Sequence, residues 1–267
     1  VAHIHGGEVT EGAYDDGMRH AITKLASLHF VAHNEYARRV IQMGEDRRQV
    51  FNYGAPGVEA TRKLKLLSKK ALEKMLYFPL GQEVALVTFH PVTRQKGAAK
   101  GQIRSLIQAL DQSGLRMIFT MPNADAENSY ISKAIKTYVD SHPERAAAFT
   151  SLGQVRYFSF MKYVGLMVGN SSSGLIEAPS FKLPVVNIGT RQGGRVKARN
   201  MIDCNDDEQS IYSAITRARS TKFRQSLRAL KNPFDGDNTS LSIVREIKRF
   251  AMRPLPVKKF IDLMYKS

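Results

Sequence analysis

Gly169-Asn170-Ser171-Ser172-Ser173-Gly174 lies between the apolar run Leu166 to Val168 and the helical Leu175-Ile176-Glu177-Ala178. A strand-to-helix turn of this kind offers unpaired backbone N–H groups, partial positive charge and serine hydroxyls, a donor set suited to diphosphate oxygens. Ser171 and Ser172 are therefore candidate ligands, although a capping serine in a polar turn accounts for the same residues. Glu177, one turn further on, can accept hydrogen bonds from vicinal ribose hydroxyls as the acidic residue of dinucleotide sites does, or can be an ordinary surface charge.

His90-Pro91-Val92-Thr93 directly follows the apolar run Val84 to Phe89, and Asn123 follows Thr120-Met121-Pro122. Ligands of open α/β sheets sit outside the carboxyl ends of strands, which places both side chains at a binding rim; a loop histidine before a turn proline is the plainer alternative. Thr190-Arg191-Gln192-Gly193-Gly194-Arg195 follows Val185 to Ile188, and Arg191 there can hold phosphate or form part of an exposed basic loop. At the start of the chain, His3 and His5 flank Ile4 and precede Gly6-Gly7-Glu8, Asp15-Asp16 and Arg19-His20. His-x-His on a strand would put both rings on one face, as a metal pair needs. No later strand end supplies a further ligand set, and glycines beside acids suit a metal-free acid–base site equally well, so no metal is expected.

Short β-branched runs alternate with amphipathic segments along most of the chain, the pattern of βα units around parallel sheets. Strands are expected at 29–32, 50–53, 84–89, 117–120, 147–150, 166–168 and 185–188, with a strand end at the N-terminus. Ile103, Leu106, Ile107 and Leu110 repeat at helical spacing, as do Ile131, Ala134, Ile135, Tyr138 and Val139. Stops fall at Ser113-Gly114 and His142-Pro143. A final helix carries Ile243, Val244, Ile247, Phe250 and Ala251 on one face. The division expected is 1–60 as the remainder of one Rossmann-like domain, 61–235 as a second, and 236–267 as a helix and tail returning to the first. A lone terminal strand cannot pair its backbone or bury its faces, so earlier strands are expected upstream of Val1.

At 267 residues the chain can build one large or two modest cores. Its net charge of +16 favours anionic partners, but the basic residues are dispersed without an aromatic-interleaved stripe, so a phosphorylated metabolite fits better than nucleic acid. The single cysteine, Cys204, excludes an internal disulfide and suits a reducing cytoplasm. No apolar run reaches the roughly 18 residues of a membrane span.

Taken together, HIHGGEVTEGAYDDGMRHAITK, FHPVT, MPNAD, GNSSSGLIEAPSF, PVVNIGTRQGGR and NPFDGDNTS resemble the UDP-N-acetylglucosamine 2-epimerases, most closely their hydrolysing branch in sialic and legionaminic acid synthesis. The resemblance implies a GT-B-like architecture with two Rossmann-like domains, the first incomplete here. It implies elimination of UDP across C1 and C2, hydration of the glycal with inverted C2, and no metal or redox cofactor. It assigns diphosphate to Ser171 and Ser172, ribose to Glu177, nucleotide-sugar contacts to His90, Asn123 and Arg191, and proton transfer to Glu8 and Asp16, with His90 counted in the catalytic set. It further implies a UDP-sugar as partner, no nucleic acid or membrane, and a homodimer or homotetramer. An arginine loop and a Gly-Asp-Arg motif of the family would precede Val1, so the chain as given can bind UDP yet be unable to turn substrate over. The alternatives are a GT-B glycosyltransferase using a UDP-sugar and a non-catalytic nucleotide-sugar-binding fragment.

Overall fold

The computed structural model describes residues 1–11, 15–91, 97–122, 128–252 and 257–262. Among them the strands are β1 (Ala2–Ile4), β2 (Leu28–Val31), β3 (Val50–Asn52), β4 (Val84–Thr88), β5 (Arg116–Thr120), β6 (Ala146–Phe149), β7 (Leu166–Gly169), β8 (Val185–Ile188) and β9 (Met201–Cys204). The helices are α1 (Asp15–Leu25), α2 (Asn34–Gln42), α3 (Pro56–Lys63), α4 (Lys69–Glu73), α5 (Ala99–Gln112), α6 (Asn128–Ser141), α7 (Gly153–Tyr163), α8 (Ser173–Ile176), α9 (Glu208–Arg219), α10 (Thr221–Ser226) and α11 (Thr239–Ala251).

The strands form two wholly parallel sheets, β1-β2-β3 and β6-β5-β4-β7-β8-β9. The second sheet has the doubly wound order, in which the chain reverses direction across the sheet between β4 and β7 and leaves a crevice at their carboxyl ends. Both strands are buried along their whole length because helices cover both faces. One face carries α5, α6 and α9 through Ile103, Leu106, Ile131, Ile135, Ile211 and Ile215. The other buries α4 and α7 through Leu72, Phe158, Phe160 and Met161. The architecture is α/β and GT-B-like, with two Rossmann-like sets of parallel strands.

The sequence reading differs from the structure at the edges. Strand β9 shows no apolar run because only Ile202 of its four residues is buried. α11 seats Ile243 on Leu28 and Phe30, with Phe51 and Phe250 packed alongside, whereas Val244 and Ile247 stay 46% and 39% exposed. Its apolar face is thus split between core and surface. The first sheet also meets the second lobe: Val31, Ala32, Tyr36 and Val58 pack with Leu175 and Phe234 in one cluster.

Candidate active site

Strand β4 ends beside β7, and the two loops that follow are clamped together there. The His90 backbone N–H donates to Asn170 Oδ1 and the Asn170 amide donates back to the His90 carbonyl, each at 2.8 Å. The Asn170 carbonyl in turn accepts from Arg191 at 3.1 Å and Gln192 at 2.7 Å, which ties the loop after β8 to the same point. Close approach is possible because Gly169 has φ 138 and a Cβ there would lie 1.9 Å from the Thr88 carbonyl oxygen. The organising residue, Asn170, was visible in the serine motif but gave no sign in the sequence of its bonds to two other loops.

Beside this clamp is a cavity of about 390 Å³ lined by Thr88, His90, Thr120, Tyr157, Ser171, Ser173 and Glu177, together with Thr150 to Gln154. Ser171 and Ser173 line it and Ser172 does not. α8 spans only four residues before a 3-10 turn at Ala178–Phe181, so a long helix dipole does not back this turn, and hydroxyls and loop amides form the donor set. Tyr157 was not picked out from the sequence: its hydroxyl stands 3.4 Å from Thr88 Oγ1, and burial pushes its pKa up. Burial also pushes Glu177 up to about 7, opposed by the nearby charges of His5 and Arg195. Its carboxylate faces Gly57 of α3, where a Cβ would come within 2.5 Å of Oε1.

The loop after β1 belongs to the first lobe and meets the loop after β8 through Glu8 and Arg195. β1 ends at Ile4, and His5 adopts φ 65, so His3 and His5 do not share a strand face. The two rings have separate partners: His3 bonds Thr23 at 3.1 Å, while His5 Nδ1 bonds Glu8 Oε1 at 2.6 Å. Among the described residues no group of three or more His, Cys, Asp or Glu could hold a metal ion. The other Glu8 oxygen pairs with Arg195 of the second lobe, and both side chains are at most 5% exposed. Burial works against the Glu8 charge, but the His5 bond and the Arg195 and Arg19 charges hold its carboxyl below the usual range. Arg195 was read only as part of a basic loop, since nothing local reveals a partner 187 residues away.

Asp16 lies at the head of α1, where Oδ1 accepts the Thr10 backbone N–H at 2.7 Å, and His20 stands 3.7 Å from Oδ2. Gly7, at φ 76, lets the loop pass within van der Waals reach of the Tyr36 carbonyl, a place no side chain fits. The structure thus brings His90, Ser171 and Glu177 to one cavity and ties Arg191 to its rim through the Asn170 carbonyl, while Glu8 is bonded to His5 and Arg195 and Asp16 to the Thr10 backbone. Asn123 lies outside the described residues.

Two Rossmann-like sets of parallel strands, the larger with a serine-lined cavity at its switch point, define a nucleotide-binding type of α/β protein. The family model for UDP-N-acetylglucosamine 2-epimerase matches residues 1–248, and the chain belongs to that family. It is 39% identical over 265 residues to the GDP/UDP-N,N'-diacetylbacillosamine 2-epimerase (hydrolyzing) of Campylobacter jejuni, covering 98% of this chain and 68% of that protein. It is 37% identical to polysialic acid biosynthesis protein P7 of Escherichia coli, over 94% of this chain and 64% of that one. The UDP-N,N'-diacetylbacillosamine 2-epimerase (hydrolyzing) of Legionella pneumophila is 35% identical over 82% of this chain and 57% of its own. The chain therefore spans 57% to 68% of the length of these relatives. Among solved structures, the S. aureus MnaA–UDP complex superposes with a TM-score of 0.76 at 18% identity, over 94% of this chain and 67% of that one, which supports the fold. No helix among the described residues is long and apolar enough to cross a membrane.

Proposed function

We propose that the interlobe cleft eliminates UDP from a UDP-linked 2-acetamido sugar and hydrates the resulting glycal to the free 2-epimer. The observation that carries this reading is the cavity at the β4–β7 crevice, lined by His90, Ser171, Ser173 and Glu177. Serine hydroxyls and loop amides, with Arg191 close by, would steady the charge that builds on the departing diphosphate. Ser171 takes the diphosphate with Ser173 in the place first given to Ser172, Glu177 takes the ribose, and Arg191 and Asn123 make further contacts in this assignment, while Glu8, Asp16 and His90 form the proton-transfer set. Residues 1–60 and 61–235 serve as the two lobes, and 236–267 returns to the first, in keeping with the contact of Ile243 with Leu28 and Phe30.

The names of the C. jejuni and L. pneumophila relatives favour a diacetamido sugar over UDP-N-acetylglucosamine, and the E. coli relative's name fits a place before sialic-acid-like polymers. Action in the cytoplasm agrees with a lone free thiol, Cys204. A homodimer or homotetramer completes the proposal and is checked by light scattering.

Calorimetry with UDP and mass spectrometry of products from both candidate sugars test the function. UDP should bind, Ser171→Ala should weaken it roughly tenfold, and the free 2-epimer should form with UDP release. Absence of UDP binding, or salt-sensitive binding of oligonucleotides in its place, would overturn it.

A further inference from the structure

The loop after β8 is bonded to both lobes, and Gln192 stands at the junction. Its side chain is 0% exposed. Nε2 donates to the Asn170 carbonyl at 2.7 Å, and Oε1 accepts from Arg195 Nη1 at 3.0 Å. A carbonyl only accepts and a guanidinium only donates, so these two partners fix the amide in one orientation. Asn170 is itself buried and clamps the His90 loop, while Arg195 carries on to the buried Glu8 carboxylate. An unbroken line of hydrogen bonds thus runs from the rim of the serine-lined cavity, through Asn170, Gln192 and Arg195, to Glu8 of the first lobe. Every member is buried, so a bond that breaks is not replaced by solvent.

The backbone beside Gln192 is packed just as closely. Glu11 of the first lobe lies against Gly193 and Gly194, where an added Cβ would come within 2.2 Å and 3.0 Å of its carboxylate oxygens. One residue past Arg195, the Val196 backbone N–H donates to the Tyr36 hydroxyl at 3.1 Å. The stretch 192–196 is therefore held by the second lobe at its start and by the first lobe at its end, and a shift at one end is felt at the other.

We propose that Gln192 is a positioning residue that couples the lobes, so that filling the cavity at Ser171 and seating Glu8 are one linked event. This rests on the epimerase reading above, in which Ser171 takes the diphosphate and Glu8 belongs to the proton-transfer set. Ser171 directly follows Asn170, so a diphosphate held by its hydroxyl fixes the Asn170 carbonyl. Gln192 passes that constraint to Arg195, and Arg195 to Glu8. Linkage is reciprocal: uncharging Glu8 weakens UDP even though Glu8 does not line the cavity.

The test is a double-mutant cycle of Glu8→Gln and Gln192→Met, read by calorimetry with UDP and by hydrogen exchange of single amides. Methionine keeps the length and apolar stem of glutamine and removes both bonds. Glu8→Gln should weaken UDP about fivefold in the wild-type background, and by no more than about 1.5-fold once Gln192→Met is present. UDP should slow exchange of the Thr10 amide, which donates to Asp16 in the first lobe, about tenfold in wild type and not in Gln192→Met. Should Gln192→Met fail to fold, Gln192→Glu takes its place, since it keeps an acceptor for Arg195 and lacks the donor for Asn170. A Gln192 that serves packing alone predicts additive effects on UDP affinity, with exchange raised equally at Ile118 in the middle of β5, and that result overturns the proposal. So does a Glu8→Gln variant that binds UDP as wild type does. If the wild-type chain binds no UDP, the epimerase reading is what fails, and the His90 amide, bonded to Asn170, decides this inference. Faster exchange there on Glu8→Gln in the wild-type background, with no further change when Gln192→Met is already present, supports it; exchange unmoved by Glu8→Gln overturns it.

Discussion

The two halves of the cleft are built by different means. In the six-stranded lobe the site is a property of the backbone: a reversal between β4 and β7, a glycine at the contact, and the Asn170 clamp shape the cavity before any side chain reaches into it. In the three-stranded lobe the site is held by side chains: Glu8 bonds His5, pairs with Arg195 of the other lobe and accepts from Arg19 at its carbonyl. A crevice closed by parallel strands tolerates little change of backbone, whereas a charge-held turn depends on its partners remaining ionised.

The strongest way to break that contrast is to remove a charge between the lobes. Arg195→Met leaves the buried Glu8 with His5 and Arg19 alone, and should cost about 3 to 5 kcal/mol by chemical denaturation. The double variant Glu8→Gln/Arg195→Met should cost much less than the sum of its parts. Because Glu8 is held below its ordinary 4.5 in the fold, its contribution is whole above that pH and is lost as pH falls through the lower folded value. A single Arg195→Met variant as stable as wild type would mean that the charges do not hold the turn.

In the backbone-built half, Gly169→Ala should be next in size, on the order of 3 kcal/mol, since its Cβ would meet the Thr88 carbonyl at 1.9 Å. A thermal melt unchanged by this substitution would contradict the account of the crevice. Glu177 joins the two halves and should show a trade of stability for function. Its folded value of about 7 lies above the ordinary 4.5, so the native state favours the proton and stability falls as pH rises between those two values. Glu177→Gln should therefore gain about 2 kcal/mol at pH 8 while binding UDP more weakly, as paired melts and calorimetry will show. The smallest effect expected is Tyr157→Phe, which removes a hydroxyl 3.4 Å from Thr88 and should cost UDP affinity about 1 kcal/mol. A larger loss would mean that side chains, and not the backbone, govern this cavity too.

How well each half could be read in advance follows from the same contrast. The apolar runs at β4, β5, β7 and β8 announced themselves because both faces of those strands are buried. β9 did not, because an edge strand needs little apolar surface. The serine motif was legible, yet its backing helix is a single turn, since Pro179 follows closely and cannot continue it. His3 and His5 looked like a pair only while β1 was taken to include both.

Sequence alone determined the parallel α/β class, the serine-rich turn and the family, because hydrophobic period and ordered local motifs are written in neighbouring residues. Tertiary structure alone decided that Glu8 is spoken for by Arg195, that Asn170 ties three loops together, and that Glu177 is desolvated against Gly57. Those outcomes depend on which distant groups share a low-dielectric space, and pairing and desolvation at such range leave no periodic trace along the chain.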